Sequence, residues 1–188
     1  MPIKPNIHIL TKSDIQEIKH IYYGVHQSPI GLCLVTLCEK GVLSVGFYNN
    51  DSQIPETLIK LKKQFSQAVF SENNDAVWGI SHALFSNDAL TCTVCLNGTP
   101  FQVSVWKALL NIPNGMVTSY AKIAEEINQS TAYRAVGTAI GANQHAVIIP
   151  CHRVIQKNGN LGDFRWGIER KEALLKLEKV NTPMLSLA

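Results

Sequence analysis

Apolar runs and turn-forming residues alternate through the first part of the chain. Between Ile18 and Tyr48 the runs IYYGV, LCLVTL and VLSVGFY are separated by the turn segments SPIG and CEKG. Short apolar runs bounded by turn residues are typical of strands that pair with their neighbours in sequence. The pattern predicts an antiparallel β-meander.

A helical period follows the meander. Apolar residues recur at spacings of three and four between Glu56 and Phe70, at Leu58, Leu61, Phe65 and Val69. One apolar stripe with lysines largely elsewhere is typical of an amphipathic helix, so we expect a helix over this stretch. Because the next stretch, SENNDA, is polar, the linker between two lobes is expected within residues 71–98.

The second lobe begins with strong helix signals. Thr99, Pro100 and Gln102 supply an N-cap, a proline at the first helical position and the glutamine of a capping box. We expect a helix from Pro100 to about Leu110. The segments TSYAKIAEEI, with Thr118 or Ser119 as cap, and TAYRAVGTAIGA then predict two short helices arranged as a helix-turn-helix.

The second of these helices has two contrasting faces. On a helical projection the apolar residues fall together, whereas the opposite face holds an arginine among small residues: Arg134, Gly137, Thr138 and Gly141. Glycine within a helix costs about 1 kcal/mol relative to alanine. Two glycines on one face indicate either close approach of another molecule or tight internal packing, and the sequence leaves both open.

Composition limits the protein class without deciding the function. The 188 residues are 46% hydrophobic and 16% charged, which is typical of a folded globular protein, and the net charge of +3 permits nucleic-acid binding without requiring it. We find no signal peptide and no apolar run of about 18 residues that could span a membrane. The five cysteines are therefore expected to be reduced thiols in a cytoplasmic protein.

Reactive chemistry is indicated in the segment IIPCHRV. Cys151 could be a small core residue, but the adjacent His152 could accept its proton and so favour the nucleophilic thiolate. Neighbouring residues of a strand point to opposite faces, so direct contact would need a bend or a bridging water. Glu178 shares the apolar face of the last helix with Leu174 and Leu175, and either it orients His152 or it lies at the helix rim.

These segments strongly resemble the O6-alkylguanine-DNA alkyltransferase family. The resemblance rests on PCHRVI, NGNLGDFRWGIERKEALLKLE, FQVSVWKALLNIPNGMVTSYAKIA and RAVGTAIGAN, and more loosely on SPIGLCLVTLCEKGVLSVGFY. It implies an α/β (α+β) protein with two domains. Residues 1–90 would form an antiparallel sheet lobe with a helix, ribonuclease H-like, and residues 91–188 a helical DNA-binding and alkyl-acceptor domain.

The resemblance also implies the roles of the reacting residues. Cys151 would accept the alkyl group, His152 would take its proton through a bound water, and Glu178 would orient His152. Asn143 would tie the recognition helix to the active-site segment. Tyr120 would donate a proton to guanine as the alkyl group leaves. The reaction would be a single-turnover displacement that needs no metal and no organic cofactor.

The implied partner is double-stranded DNA containing O6-alkylguanine, contacted by a monomer through the minor groove. Arg134 would enter the duplex and hold the place of a flipped nucleotide, while further DNA contacts would come from Ser119, Tyr120, Ala135, Gly137 and Thr138. The substrate pocket would be formed by Val154, Phe164 and Arg165. Tyr133 departs from the smaller residue usual beside the arginine, and we expect it to pack beside the core face.

Two features bear on the alternatives. The zinc found in some relatives is not expected, because only Cys38 aligns with its ligands and Leu43 stands where a histidine would be; Cys92 and Cys95 form a CxxC without a second ligand pair. Two other functions remain as hypotheses. One is a protein that binds alkylated DNA without transfer. Relatives of that kind lack the cysteine of this motif, whereas Cys151 is present here. The other is a thiol hydrolase.

Overall fold

A computed structural model describes residues 4–86 and 91–180. The chain divides into two compact units, residues 1–97 and 98–188. This division lies seven residues beyond the boundary drawn from the sequence after residue 90, because Thr93–Leu96 forms a strand within the sheet of the first unit. Within the described residues, no helix is long and apolar enough to cross a membrane.

The described part of the first unit holds a six-stranded sheet in the order β1-β6-β4-β3-β2-β5. The strands are β1 (Asn6–Ile9), β2 (His20–Ser28), β3 (Gly31–Cys38), β4 (Gly41–Tyr48), β5 (Val69–Glu72) and β6 (Thr93–Leu96). The helices are α1 (Lys12–Glu17), α2 (Ile54–Gln64) and α3 (Asn74–Ala83). A core that includes Ile18, Ile21 and Phe65 packs against this sheet.

The predicted meander is confirmed, but the sheet as a whole is mixed. Strands β2, β3 and β4 pair antiparallel in sequence order. Strand β5 joins β2 in parallel, and β6 runs parallel to both β1 and β4. These parallel pairs join segments that are distant in sequence, so the pattern of neighbouring apolar runs could not reveal them.

The amphipathic helix predicted after the meander is present but shorter than expected. It ends at Gln64 rather than near Phe70, because Phe65 leaves helical geometry and Val69 begins the strand that pairs with β2. The division between the two units falls within residues 71–98, where the linker was expected, although this range also contains α3 and β6. The cap of α3 is Asn73, whose side chain accepts a hydrogen bond from the Ala76 amide, so the polar SENNDA stretch starts a helix.

The second unit contains the helices α4 (Pro100–Leu109), α5 (Tyr120–Glu126), α6 (Tyr133–Gly141) and α7 (Ile168–Leu177). The predicted capping box of α4 is confirmed, with Thr99 as N-cap and Gln102 reaching back to it. Ser119 caps α5. Helix α4 packs on α6, where the Trp106 indole donates a hydrogen bond of 2.8 Å to the Ala139 carbonyl.

A two-stranded parallel pair joins distant parts of this unit. Strand β7 (Thr118–Ser119), directly before α5, pairs with β8 (Val154–Ile155). Ile155, Leu175 and Val180 form a hydrophobic cluster that packs α7 against β8. The start of α5 and one face of α7 therefore both lie beside the segment that contains Cys151.

Candidate active site

Cys151 and His152 lie in a tight turn rather than in a strand. After Pro150 the chain forms one turn of 3-10 helix, Cys151–Arg153, and then enters β8. The alternation of faces expected for a strand therefore does not apply, and both side chains are buried, with 3% and 0% of their surface exposed. A fully buried histidine beside a buried thiol needs polar partners, since an unsatisfied buried polar group is costly.

Asn143 holds the turn from the end of α6. Its Nδ2 donates hydrogen bonds to the Cys151 Sγ and the Ile149 carbonyl, both at 3.1 Å, while its Oδ1 accepts the His145 amide at 2.9 Å. Asn143 is itself fully buried. Its Nδ2 therefore links the end of α6 to the reactive turn, while its Oδ1 holds the segment that leads to the turn.

The buried segment before the turn contains backbone strain. Val147 has a φ of 67°, a left-handed conformation that is strongly disfavoured for a β-branched residue. Such strain persists only where the surrounding structure holds the chain in place. The Asn143 hydrogen bonds to both sides of Val147 supply that constraint.

The thiol of Cys151 is held mainly in its neutral form. Burial raises its pKa to about 11, and this rise is opposed by the hydrogen bond from Asn143 and by the positive charge of Lys171. Burial disfavours any charged form because it removes the solvation that stabilises it. A reaction that uses the thiolate therefore needs a proton acceptor close to Cys151.

His152 has the protonation state that such an acceptor requires. Burial lowers its pKa, although Glu178 acts in the opposite direction, so the imidazole is neutral near pH 7. Its Nε2 lies 3.0 Å from Glu178 Oε1, and an ionised carboxylate can only accept, so Nε2 carries the proton. Nδ1 then holds the free lone pair, and no described protein group forms a hydrogen bond with it.

Arg153 is a partner that the sequence reasoning missed. It donates to Glu178 through Nε at 2.9 Å and Nη2 at 2.7 Å, and to the Ile112 carbonyl through Nη1 at 2.7 Å. Burial alone would raise the pKa of Glu178, but the hydrogen bonds from His152 and Arg153 outweigh it and lower the pKa to about 2. Glu178 is therefore hydrogen-bonded to both His152 and Arg153, and these contacts link the end of α7 to the turn.

A cavity of about 510 Å³ opens beside Cys151. Six of the residues predicted for the site line it: Tyr120, Arg134, Gly137, Cys151, Phe164 and Arg165. Four further predicted residues are neighbours of lining residues. Ser119 and Val154 lie in the β7–β8 pair, and His152, which follows Cys151, is hydrogen-bonded to Glu178. Ala135 and Thr138 are exposed on α6 and do not line the cavity.

The glycines of α6 are not required by internal packing. A Cβ at Gly137 would lie 3.7 Å from the Tyr120 ring, which is an ordinary contact, and one at Gly141 would meet no described atom within 4 Å. The alternative of tight internal packing is thus not supported. Tyr133, expected beside the core face, is 48% exposed and lies near the Arg134 guanidinium at the cavity.

Several further residues at the site were not identified from the sequence. Gln156 and Asp163 line the cavity from the segment after β8, and Lys171 is buried on α7. A signal for Lys171 was present, because it lies three, four and seven residues before Leu174, Leu175 and Glu178 and so shares their inward face. Among the described residues, no group of three or more metal-ligating side chains could hold a metal ion.

Replacing Glu178 by Gln should destabilise the protein near pH 7 and much less in acid. Because the folded chain lowers the pKa of Glu178 from its ordinary 4.5 to about 2, the ionised carboxylate contributes roughly 3 kcal/mol to the free energy of unfolding. This contribution is complete above pH 4.5 and is lost as the pH falls towards 2. Urea unfolding at about pH 7 and about pH 2.5 measures it.

A matched control is Glu172→Gln on the same helix, since the ion pair described for Glu172 is with the exposed Lys176. That change should have little effect at either pH, as expected of a surface ion pair. A Glu178→Gln loss of the same size at both pH values would contradict the ionised network.

Comparison with known proteins points to one family. Residues 100–180 match the family described as 6-O-methylguanine DNA methyltransferase, DNA binding domain. The methylated-DNA–protein-cysteine methyltransferase of Methanosarcina barkeri is 40% identical over 86% of this chain and 99% of its own length. The inducible Bacillus subtilis protein of the same name is 42% identical over 74% of this chain and 80% of its own length.

Solved structures give the same result. The crystal structure of Mycobacterium tuberculosis OGT in complex with DNA is similar with a TM-score of 0.68 and 34% identity, covering 87% of this chain and 96% of that one. The mixed α/β fold of a sheet with helices is therefore shared along most of the chain. On these matches, this chain belongs to the methylated-DNA–protein-cysteine methyltransferase family.

Proposed function

We propose that the chain repairs DNA by transferring the alkyl group of O6-alkylguanine to its own Cys151, once per molecule. Family membership makes it a DNA-binding repair methyltransferase, and the proposal concerns how its residues do this. The observation that carries it is a buried thiol in the wall of a cavity, with the neutral His152 and the ionised Glu178 behind it.

The proposed reaction is a displacement at the alkyl carbon. The thiol proton passes through a bridging water to Nδ1 of His152, the lone pair of which is free of described protein partners. The thiolate then forms a bond to the alkyl carbon while the bond from that carbon to guanine O6 breaks. Glu178 stabilises the imidazolium that forms. The product is a thioether with no activated bond for hydrolysis, which explains a single turnover.

Tyr120 is proposed to protonate the leaving guanine. Burial, followed by the nearby charges of Asp163 and Cys151, raises the pKa of its phenol, which keeps the proton available for donation. A Cβ at Gly162 would lie 3.1 Å from the Tyr120 Oη, so the loop lies close to the phenol. The thiol loses one proton to His152, and guanine gains one proton from Tyr120, so the protons balance. Exchange with solvent then returns His152 and Tyr120 to their starting protonation states.

The DNA contacts are proposed to come from α5 and α6 acting as a helix-turn-helix at the minor groove. Arg134 is exposed on α6 and lines the cavity, where it could hold the place of a nucleotide flipped towards Cys151. Ser119, Ala135, Gly137 and Thr138 would contact the backbone around it. Phe164, in edge contact with Trp166, and Arg165 would close the pocket over the base beside Val154.

Three broader features complete the proposal. The first unit is proposed to be ribonuclease H-like, since its antiparallel meander is flanked by parallel strands and helices. The protein would act as a monomer, because each residue of the proposed reaction lies in one unit of one chain. Its place of action would be the cytoplasm, which suits the five unpaired cysteines.

Replacing Cys151 by Ala should abolish transfer while DNA binding is retained, because the change removes the nucleophile and no phosphate contact. DNA carrying labelled O6-methylguanine measures both properties, by label on the protein and by mobility shift. Cys92→Ala, at a half-buried thiol of the first unit, is the matched control and should transfer normally. Transfer of label to the Cys151→Ala variant would contradict the assignment. For the wild type, binding without transfer would indicate a lesion-binding protein, and repeated turnover would indicate a hydrolase.

Replacing Arg134 by Ala should impair reaction with duplex DNA far more than reaction with free O6-benzylguanine. The free base needs no flipping, so its reaction depends on the pocket and the thiol alone. Single-turnover rates on both substrates measure the ratio. Lys176→Ala, which removes an exposed cation on α7, should leave both rates unchanged. Equal losses on the two substrates in Arg134→Ala would show that Arg134 supports the fold instead.

A further inference from the structure

Tyr133 places an aromatic ring in the cavity wall, and the proposed reaction gives it no role. It is the first residue of α6, it lines the cavity, and 48% of its surface is exposed. The interaction described for its ring is with the Arg134 guanidinium, the carbon of which lies 5.8 Å from the ring centroid. Because cation–π contacts at exposed sites are weak, this contact alone does not account for the position of the ring.

The place of Tyr133 along α6 puts it at the end of the cavity that is remote from the thiol. The cavity residues of α6 form one stripe, which runs from Tyr133 and Arg134 to Gly141. Asn143, just beyond the end of α6, is hydrogen-bonded to the Cys151 Sγ, so the C-terminal end of the stripe lies near the thiol. At a rise of about 1.5 Å per residue, the stripe is about 12 Å long. We call the remote end, formed by Tyr133 and Arg134, the mouth of the cavity.

The side of α6 that carries Tyr133 is covered by the core further along the helix. Val136 and Ile140 lie on that side, one and two turns on, and both are buried. The first three residues of α6 are by contrast all exposed. The ring of Tyr133 is therefore exposed because it lies beyond the part of α6 that the core covers. A molecule that enters the cavity from outside would meet it first.

Tyr133 and Arg134 lie on either side of a strip of open backbone. On a helical projection Gly137 and Gly141 fall between them, one and two turns further along. A Cβ at Gly141 would meet no described atom within 4 Å, so this strip is open towards the outside. A partner can approach the backbone there while the ring and the guanidinium reach past it on the two sides.

These two side chains suit the two consequences of flipping a nucleotide out of a duplex. The flipped nucleotide leaves a gap, and the base next to the gap loses a stacking partner. Arg134 is proposed to occupy the gap. An aromatic ring can stack on a base of any sequence, since every base has a π-face, and proteins that bind the minor groove often insert apolar side chains between base steps. The mouth thus offers one group for the gap and another for the uncovered base.

We propose that Tyr133 is a second DNA-contacting residue at the mouth, which stacks its ring on the base next to the flipped nucleotide while Arg134 occupies the gap. This inference rests on the proposed function. The ring would stabilise the flipped arrangement in duplex DNA and would take no part in the displacement at the alkyl carbon. Its effect should therefore depend on the presence of a neighbouring base.

Three substitutions separate the ring from the other properties of Tyr133. Tyr133→Phe keeps the ring without the hydroxyl, Tyr133→Leu keeps apolar bulk without the aromatic face, and Tyr133→Ala removes all of these. Met116→Ala is the matched control, since Met116 is 57% exposed in the same unit and is not among the residues described as lining the cavity. The first readout is the single-turnover rate of transfer from duplex DNA containing O6-methylguanine, compared with the rate for free O6-benzylguanine.

Tyr133→Ala should slow transfer from duplex DNA by about tenfold below saturation, as expected for loss of one base–aromatic stack. Tyr133→Leu should lie between Tyr133→Ala and the wild type, and Tyr133→Phe should keep most of the wild-type rate because the ring is retained. Reaction of Tyr133→Ala with free O6-benzylguanine should fall far less, since a free base has no neighbour for the ring to cover. Met116→Ala should keep both rates.

The second readout reports the stacking itself. In protein that also carries Cys151→Ala the lesion persists, so the bound state can be observed. The fluorescent base 2-aminopurine, which is bright when unstacked and dim when stacked, is placed on one side or the other of O6-methylguanine. On one of the two sides it should be brighter when bound to Tyr133→Ala than when bound to protein with Tyr133 intact, and Tyr133→Phe should keep it dim.

A wild-type duplex rate in Tyr133→Ala would overturn the proposal. So would equal losses in Tyr133→Phe and Tyr133→Ala, because the hydroxyl rather than the ring would then be responsible, and so would equal losses on duplex DNA and free base. If Tyr133→Ala does not fold, the comparison of Tyr133→Leu with Tyr133→Phe decides. Failure of the proposed function is separately visible: the wild type would then transfer no alkyl group from either substrate, while the fluorescence would still show whether the ring stacks on bound DNA.

Discussion

Burial of the Cys151 thiol is the condition around which the polar groups of the second unit are arranged. Taking Cys151 out of water raises its pKa to about 11, and the buried polar side chains described between residues 98 and 180 all lie in or beside the surrounding network: Asn143, His145, His152, Arg153 and Lys171. Each such group is unfavourable in a core unless it is paired. These buried polar groups are therefore concentrated around the reactive turn.

Two joints bring α5 and α6 to this thiol. The parallel pair of Thr118–Ser119 with Val154–Ile155 places the start of α5, and so Tyr120, beside the reactive turn. Asn143 fastens the end of α6 to the same turn through Cys151 and Ile149. Arg134, on the exposed face of α6, and Cys151 line the same cavity. In the proposed function, recognition and chemistry would share this pocket.

The parts that could be predicted from the sequence depend on local rules. The capping box at Thr99, the cap at Ser119 and the β-meander follow from neighbouring residues, and all three are observed. Parallel pairing between distant segments has no local pattern, so Val69 was assigned to a helix and β6 to the wrong side of the boundary. Residues that the resemblance named, such as Tyr120 and Phe164, line the cavity. Arg153 and Lys171 were missed because charged residues in a sequence are normally assumed to lie on the surface.

The central claim is that Cys151 keeps the alkyl group it removes, and the mass of the reacted protein tests it most directly. The wild-type chain would be mixed with an excess of duplex DNA containing O6-methylguanine, and the intact mass and fragment masses then measured. The account predicts that each chain gains one methyl group in place of the Cys151 thiol proton and then reacts no further. A methyl group on another residue, or repair of many lesions by an unmodified chain, would contradict it.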